Sequence, residues 1–409
     1  MSSATASDEG SARRRRIRFA VATRIAASFF LLAVSGLVWT SFGLFLVPLQ
    51  EEFGGGRGDV TAAFSIFALA NAASAPFVGH AMRRWDSRHV LAFLSGLFGL
   101  ALVATSFVQS IHAYWLVFGL LGGIGAQSVS SFAIFAILAR RVRRRPASAM
   151  SIADAGSGLA TLLGLPLIQA VIDVSGWRLA YLLLGLLALV AGIALHLLLL
   201  DPVQRAVQRP AALETTLSRR STPPLPVWLL AASFFCGSAA YHGLMTQQVA
   251  LLQDEGIAAS TAVWFAAAAG GSVFIWRLLS GQLVDIFGPR RVMVLAAAAM
   301  VATFFTLGLA LTGQGTATLF AYPLFMGIGF GGQQVILAIA LRHKVPPLDF
   351  AVYLSYCRFA SGVGMAAGPY AAGSISDIAT TPAVTAFLLA ALAVAHCMFY
   401  FVSNRARPS

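Results

Sequence analysis

Residues 19–49 read FAVATRIAASFFLLAVSGLVWTSFGLFLVPL, a run with Arg24 as its one ionisable group. A helix needs about 20 predominantly apolar residues to cross a bilayer. The run clears that length and exceeds the apolar region of a secretion signal, about 7–15 residues. Arg13–Arg16 before it superficially look like a signal's basic leader, but the reading is a retained first membrane span with a cytoplasmic tail. Eleven similar stretches follow, so the segments are roughly 22–48, 60–82, 89–109, 113–139, 148–173, 177–200, 226–252, 260–283, 291–312, 316–341, 350–373 and 381–403. The expected fold class is an all-α membrane protein of about twelve transmembrane helices.

Composition points the same way. Hydrophobic residues make up 58% of the chain and charged residues 11%, against about 25% charged in ordinary soluble proteins. Lipid is therefore the solvent over most of the surface. The net charge of +13 raises nucleic-acid binding as an alternative. The arginines instead fall in short clusters between apolar runs, the pattern of cytoplasmic loops and not of a basic groove. With both termini cytoplasmic, 24 of the 28 basic residues lie on the cytoplasmic side and only Arg57 and Arg178 in outer loops. That split is a strong positive-inside signal. It also supports the span count, since one missed helix would scramble the alternation. Cys236, Cys357 and Cys397 lie inside apolar runs and offer no disulfide framework or zinc spacing; they read as small buried apolar residues.

One interior break is long, 201–225, rich in Pro, Arg, Ser and Thr. The chain then divides into a cytoplasmic basic tail (1–21), a six-helix bundle (22–200), a cytoplasmic linker (201–225), a second six-helix bundle (226–403) and a short tail (404–409). The halves repeat. Leu49-Gln50-Glu51-Glu52 returns as Leu252-Gln253-Asp254-Glu255, 203 positions on; Gly79, Arg88 and Val90 return as Gly281, Arg290 and Val292, 202 on; Gly123-Ile124-Gly125 returns as Gly327-Ile328-Gly329, 204 on; Pro166 returns as Pro369, 203 on. Repeats of this kind, with a site near the midplane between them, belong to secondary transporters.

The stretch Gly281-Gln282-Leu283-Val284-Asp285-Ile286-Phe287-Gly288-Pro289-Arg290-Arg291 resembles the loop motif of the major facilitator superfamily, glycine-x-leucine-x-aspartate-x-x-glycine-x-arginine-arginine. It falls between spans 8 and 9, where that family carries it. The first-half copy, from Gly79 to Arg88, has Arg83 in place of the aspartate, with Asp86 nearby as a substitute. Gly176-Trp177-Arg178 at the entry of span 6 is also similar to the family. The resemblance covers the whole membrane region and implies two pseudo-symmetric bundles, alternating access and a gating role for the motif. Physically, a carboxylate such as Asp285 can accept bonds from the free N–H groups of a neighbouring helix's first turn, with the helix dipole adding attraction. A solvated loop charge is the plainer reading.

Ionisable groups inside spans are costly and persist where they face a cavity or a partner. Arg277 lies about 12 Å deep in span 8, and Arg358 about 13 Å deep in span 11, at 1.5 Å per residue. Together they are candidates for an anion clamp, since a guanidinium fork matches a carboxylate. Asp154, in span 5, is either a charge partner of Arg277 or a proton site. In the family's fold spans 5 and 8 face each other, which implies a pairing that would neutralise both groups. His242 is a candidate proton shuttle or a packed histidine, and His396 is expected to be peripheral. Trp39, Tyr241, Trp276, Tyr322 and Tyr356 are candidates to line the cavity or to pack. Arg277 before a small-residue turn, Arg358 in span 11, and Ser41 to Phe45 leading into Glu51-Glu52-Phe53-Gly54 are similar to the oxalate/formate and monocarboxylate branch. Two departures stand out: Val273 occupies the position of that branch's span 8 aspartate, and span 1 carries no lysine.

The reading is therefore a secondary carrier of a small organic anion, a mono- or dicarboxylate, coupled to protons or working by exchange. It is placed in the inner membrane of a bacterium, as a monomer without a cofactor or nucleic-acid partner. A drug-efflux carrier is the alternative within the superfamily, although span 1 has no acid and Gly156 to Pro166 matches its span 5 motif only loosely. A phosphate-ester exchanger lacks its expected arginines in spans 1 and 7. Outside the class, a membrane receptor stays open. An enzyme lacks support: no Gly-x-Ser-x-Gly, His-Glu-x-x-His or Walker lysine is present, and the one lysine is Lys344.

Overall fold

The computed structural model describes residues 2–131, 133–134, 138, 146–199, 223–312, 316–332, 341, 344–345, 350–379 and 381–405. All regular structure among them is helical. The helices are α1 (Ser2–Phe53), α2 (Arg57–Arg84), α3 (Ser87–Thr105), α4 (111–129), α5 (146–175), α6 (177–194), α7 (Leu225–Asp254), α8 (Ala259–Phe287), α9 (Pro289–Ala310), α10 (316–330), α11 (Phe350–Ile378) and α12 (Pro382–Arg405). Twelve elements thus follow the order of the twelve expected spans. Eight helices among the described residues are long and apolar enough to cross a membrane, one of them being α5 and α6 counted together over Ile152–Leu197.

Glycine punctuates the order. Gly54 (φ 67°) ends α1 and Gly256 (φ 78°) ends α7, so the repeat first seen around Leu49 and Leu252 ends in the same left-handed cap. The second cap is complete: Gly256 N–H bonds the Gln253 carbonyl at 2.9 Å and Ile257 N–H the Leu252 carbonyl at 3.1 Å, the paired bonds of a Schellman motif. Gly176 (φ 79°) separates α5 from α6.

Residues 2–20, expected as a cytoplasmic tail, are helical and run into the apolar stretch that begins at Val21. Two expectations need correction. The stretch from Gly281 to Phe287, expected as loop, forms the last two turns of α8, and Gly288 (φ 80°) is the whole connection to α9. Gly ending one helix and Pro289 opening the next allow a turn that short. His396, expected at the periphery, is 1% exposed and its Nδ1 meets Ser233 Oγ of α7 at 2.8 Å. The linker expected at 201–225 lies outside the described residues up to 222.

Helices α1–α6 and α7–α12 pack as two bundles. Across the interface α2 runs along α11, α5 along α8, and α1 against α7. Small residues permit the approach. A Cβ on Gly158 of α5 would lie 2.8 Å from Phe274 Cβ of α8, and one on Gly373 of α11 would lie 2.3 Å from Thr61 Oγ1 of α2. The interface has two distinguishable ends, one at the α1–α2, α7–α8 and α11–α12 turns (the Asp377 end), the other at the α2–α3 and α8–α9 turns (the Gly288 end).

Candidate functional site

A cavity of about 390 Å³ lies between the bundles, and eight helices contribute to its wall. Of the residues expected at a site, Trp39, Asp154, Tyr241, His242, Arg277 and Arg358 all line it. They come from α1, α5, α7, α8 and α11, so no local segment holds more than two of them.

Arg277 bridges the halves. Its Nη1 is 3.1 Å from Asp154 Oδ2 and donates to Ser157 Oγ at 2.6 Å and to the Asp154 carbonyl at 3.3 Å. The pairing that the sequence raised for α5 and α8 is therefore present. A charge this deep would be expensive without a counter-ion, and three acceptors gather on one nitrogen. Ser131 Oγ donates to the other carboxylate oxygen, Asp154 Oδ1, at 3.4 Å. Arg358 differs: it makes no ion pair or hydrogen bond among the described residues, and its side chain reaches the cavity wall one turn from Gly362, where α11 touches Ala72 of α2.

An aromatic wall faces these charges. The Trp39 ring stands 6.2 Å from His242, which lies 4.9 Å from Tyr241, which lies 4.8 Å from Phe330. His242 Nδ1 donates to the Ser238 carbonyl at 2.9 Å. That bond orients the ring and leaves Nε2 for another contact.

The amides of α2 and α4 were not among the expected site residues. Gln127 Nε2 donates to the Asn71 carbonyl at 2.5 Å, Asn71 Nδ2 to the Gly123 carbonyl at 3.1 Å, and Ser130 Oγ to Gln127 Oε1 at 2.8 Å. Asn71, Gln127 and Ser130 all line the cavity. The available signal was polarity: an Asn and a Gln inside apolar spans demand partners or a wet wall.

Tyr356 does not join the cavity. It is 45% exposed and stacks on Trp228, ring centroids 6.5 Å apart. Trp276 and Tyr322 are buried in the bundle and do not line the cavity either. The motif residues gather at the Gly288 end. There Gly79 lies inside α2 and Arg290 and Arg291 are exposed at the start of α9. The side chain of Asp285 lies outside the described residues. Asp86, the suggested substitute in the first half, instead caps its own following helix: its carboxylate accepts Arg88 N–H at 3.0 Å and pairs with the Arg88 guanidinium at 3.1 Å. Partial burial pushes this carboxyl up, but the bonds from Arg88 outweigh it and hold it below the usual carboxylate range.

At the Asp377 end the halves are tied by polar contacts. Arg57 forks onto Asp254 at 2.6 and 2.5 Å. Within the first half Arg178 binds the Ser106 and Val108 carbonyls and Glu52, at 3.0, 2.9 and 2.7 Å. The guanidinium lies 4.3 Å from the centre of the Trp177 ring, which accounts for the Gly176-Trp177-Arg178 signature as a structural clasp.

Two bundles of six helices around a shared cavity match a known family. The sequence profile of the Major Facilitator Superfamily matches residues 28–347 and 249–409. The chain belongs to the Major Facilitator Superfamily. Its relatives include monocarboxylate transporter 11 of Mus musculus, 38% identical over 169 residues, 40% of this chain and 37% of that protein. Monocarboxylate transporter 13 of Rattus norvegicus is 26% identical over 392 residues, 93% of this chain and 89% of the relative. An uncharacterized MFS-type transporter of Bacillus subtilis, YcxA, is 22% identical over 62% of each chain. The match spans little more than a third of the mouse protein and 35% of its human counterpart. Among solved structures, the nucleoside transporter NupG superposes with a TM-score of 0.73 at 15% identity, covering 95% of this chain and 100% of that one. A bacterial homologue of the lysosomal transporter Spinster gives 0.70 at 16% identity, covering 94% and 97%. At such identities these likenesses establish the superfamily fold, and the monocarboxylate relatives place this member near that branch.

Proposed function

We propose that this protein is a secondary active carrier that moves a small organic anion, a mono- or dicarboxylate, across the cytoplasmic membrane of a bacterium by alternating access. The coupling is proton symport or anion exchange. The observation that carries the reading is Arg358, a second guanidinium on the wall of the cavity between the halves, beyond the one that Asp154 holds at 3.1 Å. Two guanidiniums face one carboxylate among the described wall residues, and an anionic substrate would neutralise the excess positive charge. The monocarboxylate relatives support the same class of solute. The distribution of basic residues supports cytoplasmic termini, which puts the Asp377 end outside and the Gly288 end inside.

Purified protein in liposomes tests this reading. Replacement Arg358→Gln is expected to abolish counterflow of carboxylates while the protein stays folded and monodisperse. Full transport by that variant would overturn the assignment. Counterflow by the wild-type protein also separates a carrier from a receptor, which binds without exchange.

A further inference from the structure

The pair Asp154 and Arg277 has a bearing on which anion fits. Among the described residues, three formally charged side chains other than His242 line the cavity: Asp154, Arg277 and Arg358. Asp154 holds Arg277 at 3.1 Å, and each keeps a second polar contact, Ser131 for the carboxylate and Ser157 for the guanidinium. The carboxylate of Asp154 therefore sits where one carboxylate of a solute would otherwise bind Arg277. With a neutral His242, the described wall residues keep one positive charge in excess.

The repeat sharpens this. Asp154 on α5 and Arg358 on α11 are 204 positions apart, the same offset that relates Gly123 to Gly327. The two halves present an acid and a base from equivalent places. The scaffold is symmetric and the charge is not.

We propose that Asp154 is a specificity-determining residue: it occupies Arg277 as a resident carboxylate and so limits the cavity to solutes carrying one negative charge. This inference rests on the anion-carrier reading above. A monoanion on Arg358 brings the wall to neutrality. A dianion leaves one negative charge uncompensated in a partly desolvated space, where such a charge is penalised. Removing the charge of Asp154 frees Arg277. Two guanidiniums then face the cavity, and a molecule with two carboxylates matches them.

The test uses the full-length protein and two probes of equal chain length, butanoate and butanedioate. Apparent affinities are read from thermal stabilisation and from counterflow in liposomes. For the wild type, butanoate is expected to bind more tightly than butanedioate by about tenfold, and in Asp154→Asn the order inverts by a similar factor. The double variant Asp154→Asn/Arg277→Gln restores the excess of one charge and removes the half-buried guanidinium that Asp154→Asn leaves unpaired. It is expected to regain the wild-type preference and to bind butanoate within about threefold of the wild type. An unchanged ratio in a folded Asp154→Asn protein would overturn the proposal and leave the carrier reading intact. Loss of butanoate binding in the folded double variant would overturn it too, because Arg277 would then grip the solute directly. Failure of the wild type to respond to either anion would sink the carrier reading and this inference with it.

Discussion

The carboxylate of Asp377, in the last turn of α11, accepts the backbone N–H of Arg57 at 2.7 Å and that of Gly58 at 2.8 Å. One side chain from the second half thus caps the first turn of a helix in the first half. The first-turn N–H groups of a helix lack intrahelical partners, and the positive end of the dipole adds attraction for a carboxylate. This is the chemistry that the sequence suggested for Asp285, and it is found at the opposite end of the molecule. Gly58 allows it, since a Cβ there would stand 2.8 Å from Ser374 Oγ.

Replacing Asp377 by Asn keeps the shape and removes the charge. Loss of a charged helix cap is expected to weaken the closure by about 0.5–2 kcal/mol. Spin labels at exposed Ser110 in the first half and Ser260 in the second would read the change. A longer mean distance in Asp377→Asn is expected by double electron–electron resonance, and an unchanged distribution would show that the cap does not hold the ends together.

The fork between Arg57 and Asp254 makes a weaker prediction. Asp254 keeps 34% of its side chain exposed, and exposed pairs contribute about 0–1 kcal/mol. Arg57→Gln should therefore open the same distance less than Asp377→Asn does. Its effect should fade as salt rises toward about 1 M, where screening extends only about 3 Å.

Gly36 of α1 supports the site from behind. A Cβ there would lie 2.5 Å from Ser157 Cα, a backbone atom that cannot swing aside. Gly36→Ala is expected to cost about 1–3 kcal/mol by overpacking. It should also move Ser157 away from Arg277 and loosen the pair with Asp154, so the preference for butanoate over butanedioate should fall along with the melting temperature. A variant with lowered melting temperature and an unchanged preference would show that Ser157 is not needed at the guanidinium.

Tyr356 offers a control. It stacks on Trp228 outside the cavity, so Tyr356→Phe, which keeps the ring, should transport at the wild-type rate. Trp39→Ala, by contrast, removes a ring of the cavity wall and should raise the KM for the solute severalfold. Equal effects of the two substitutions in liposome uptake would contradict the placement of Tyr356.

Local pattern was enough for the scaffold. The apolar runs, the glycines at 54, 176, 256 and 288, and the offset of about 203 positions are properties of the chain taken in order. They determined the number of helices, their turns and the two-fold division, because lipid forces each backbone to satisfy its own hydrogen bonds within a helix. The isolated polar residues could also be read locally: an arginine at position 277 or 358 in an apolar span needs a reason.

What that reason is depended on neighbours far along the chain. Asp154 and Arg277 are 123 positions apart, and Asp377 and Arg57 are 320 apart. No periodicity records which helix faces which, at what depth, or with what rotation. Tertiary packing alone decided that Asp154 takes up Arg277 at 3.1 Å and comes no such distance to Arg358 among the described contacts, that Tyr356 turns away from the cavity while Tyr241 enters it, and that a carboxylate of the second half caps a helix of the first at the Asp377 end. Those outcomes follow from distances of about 3 Å between elements, and a linear sequence does not contain distances.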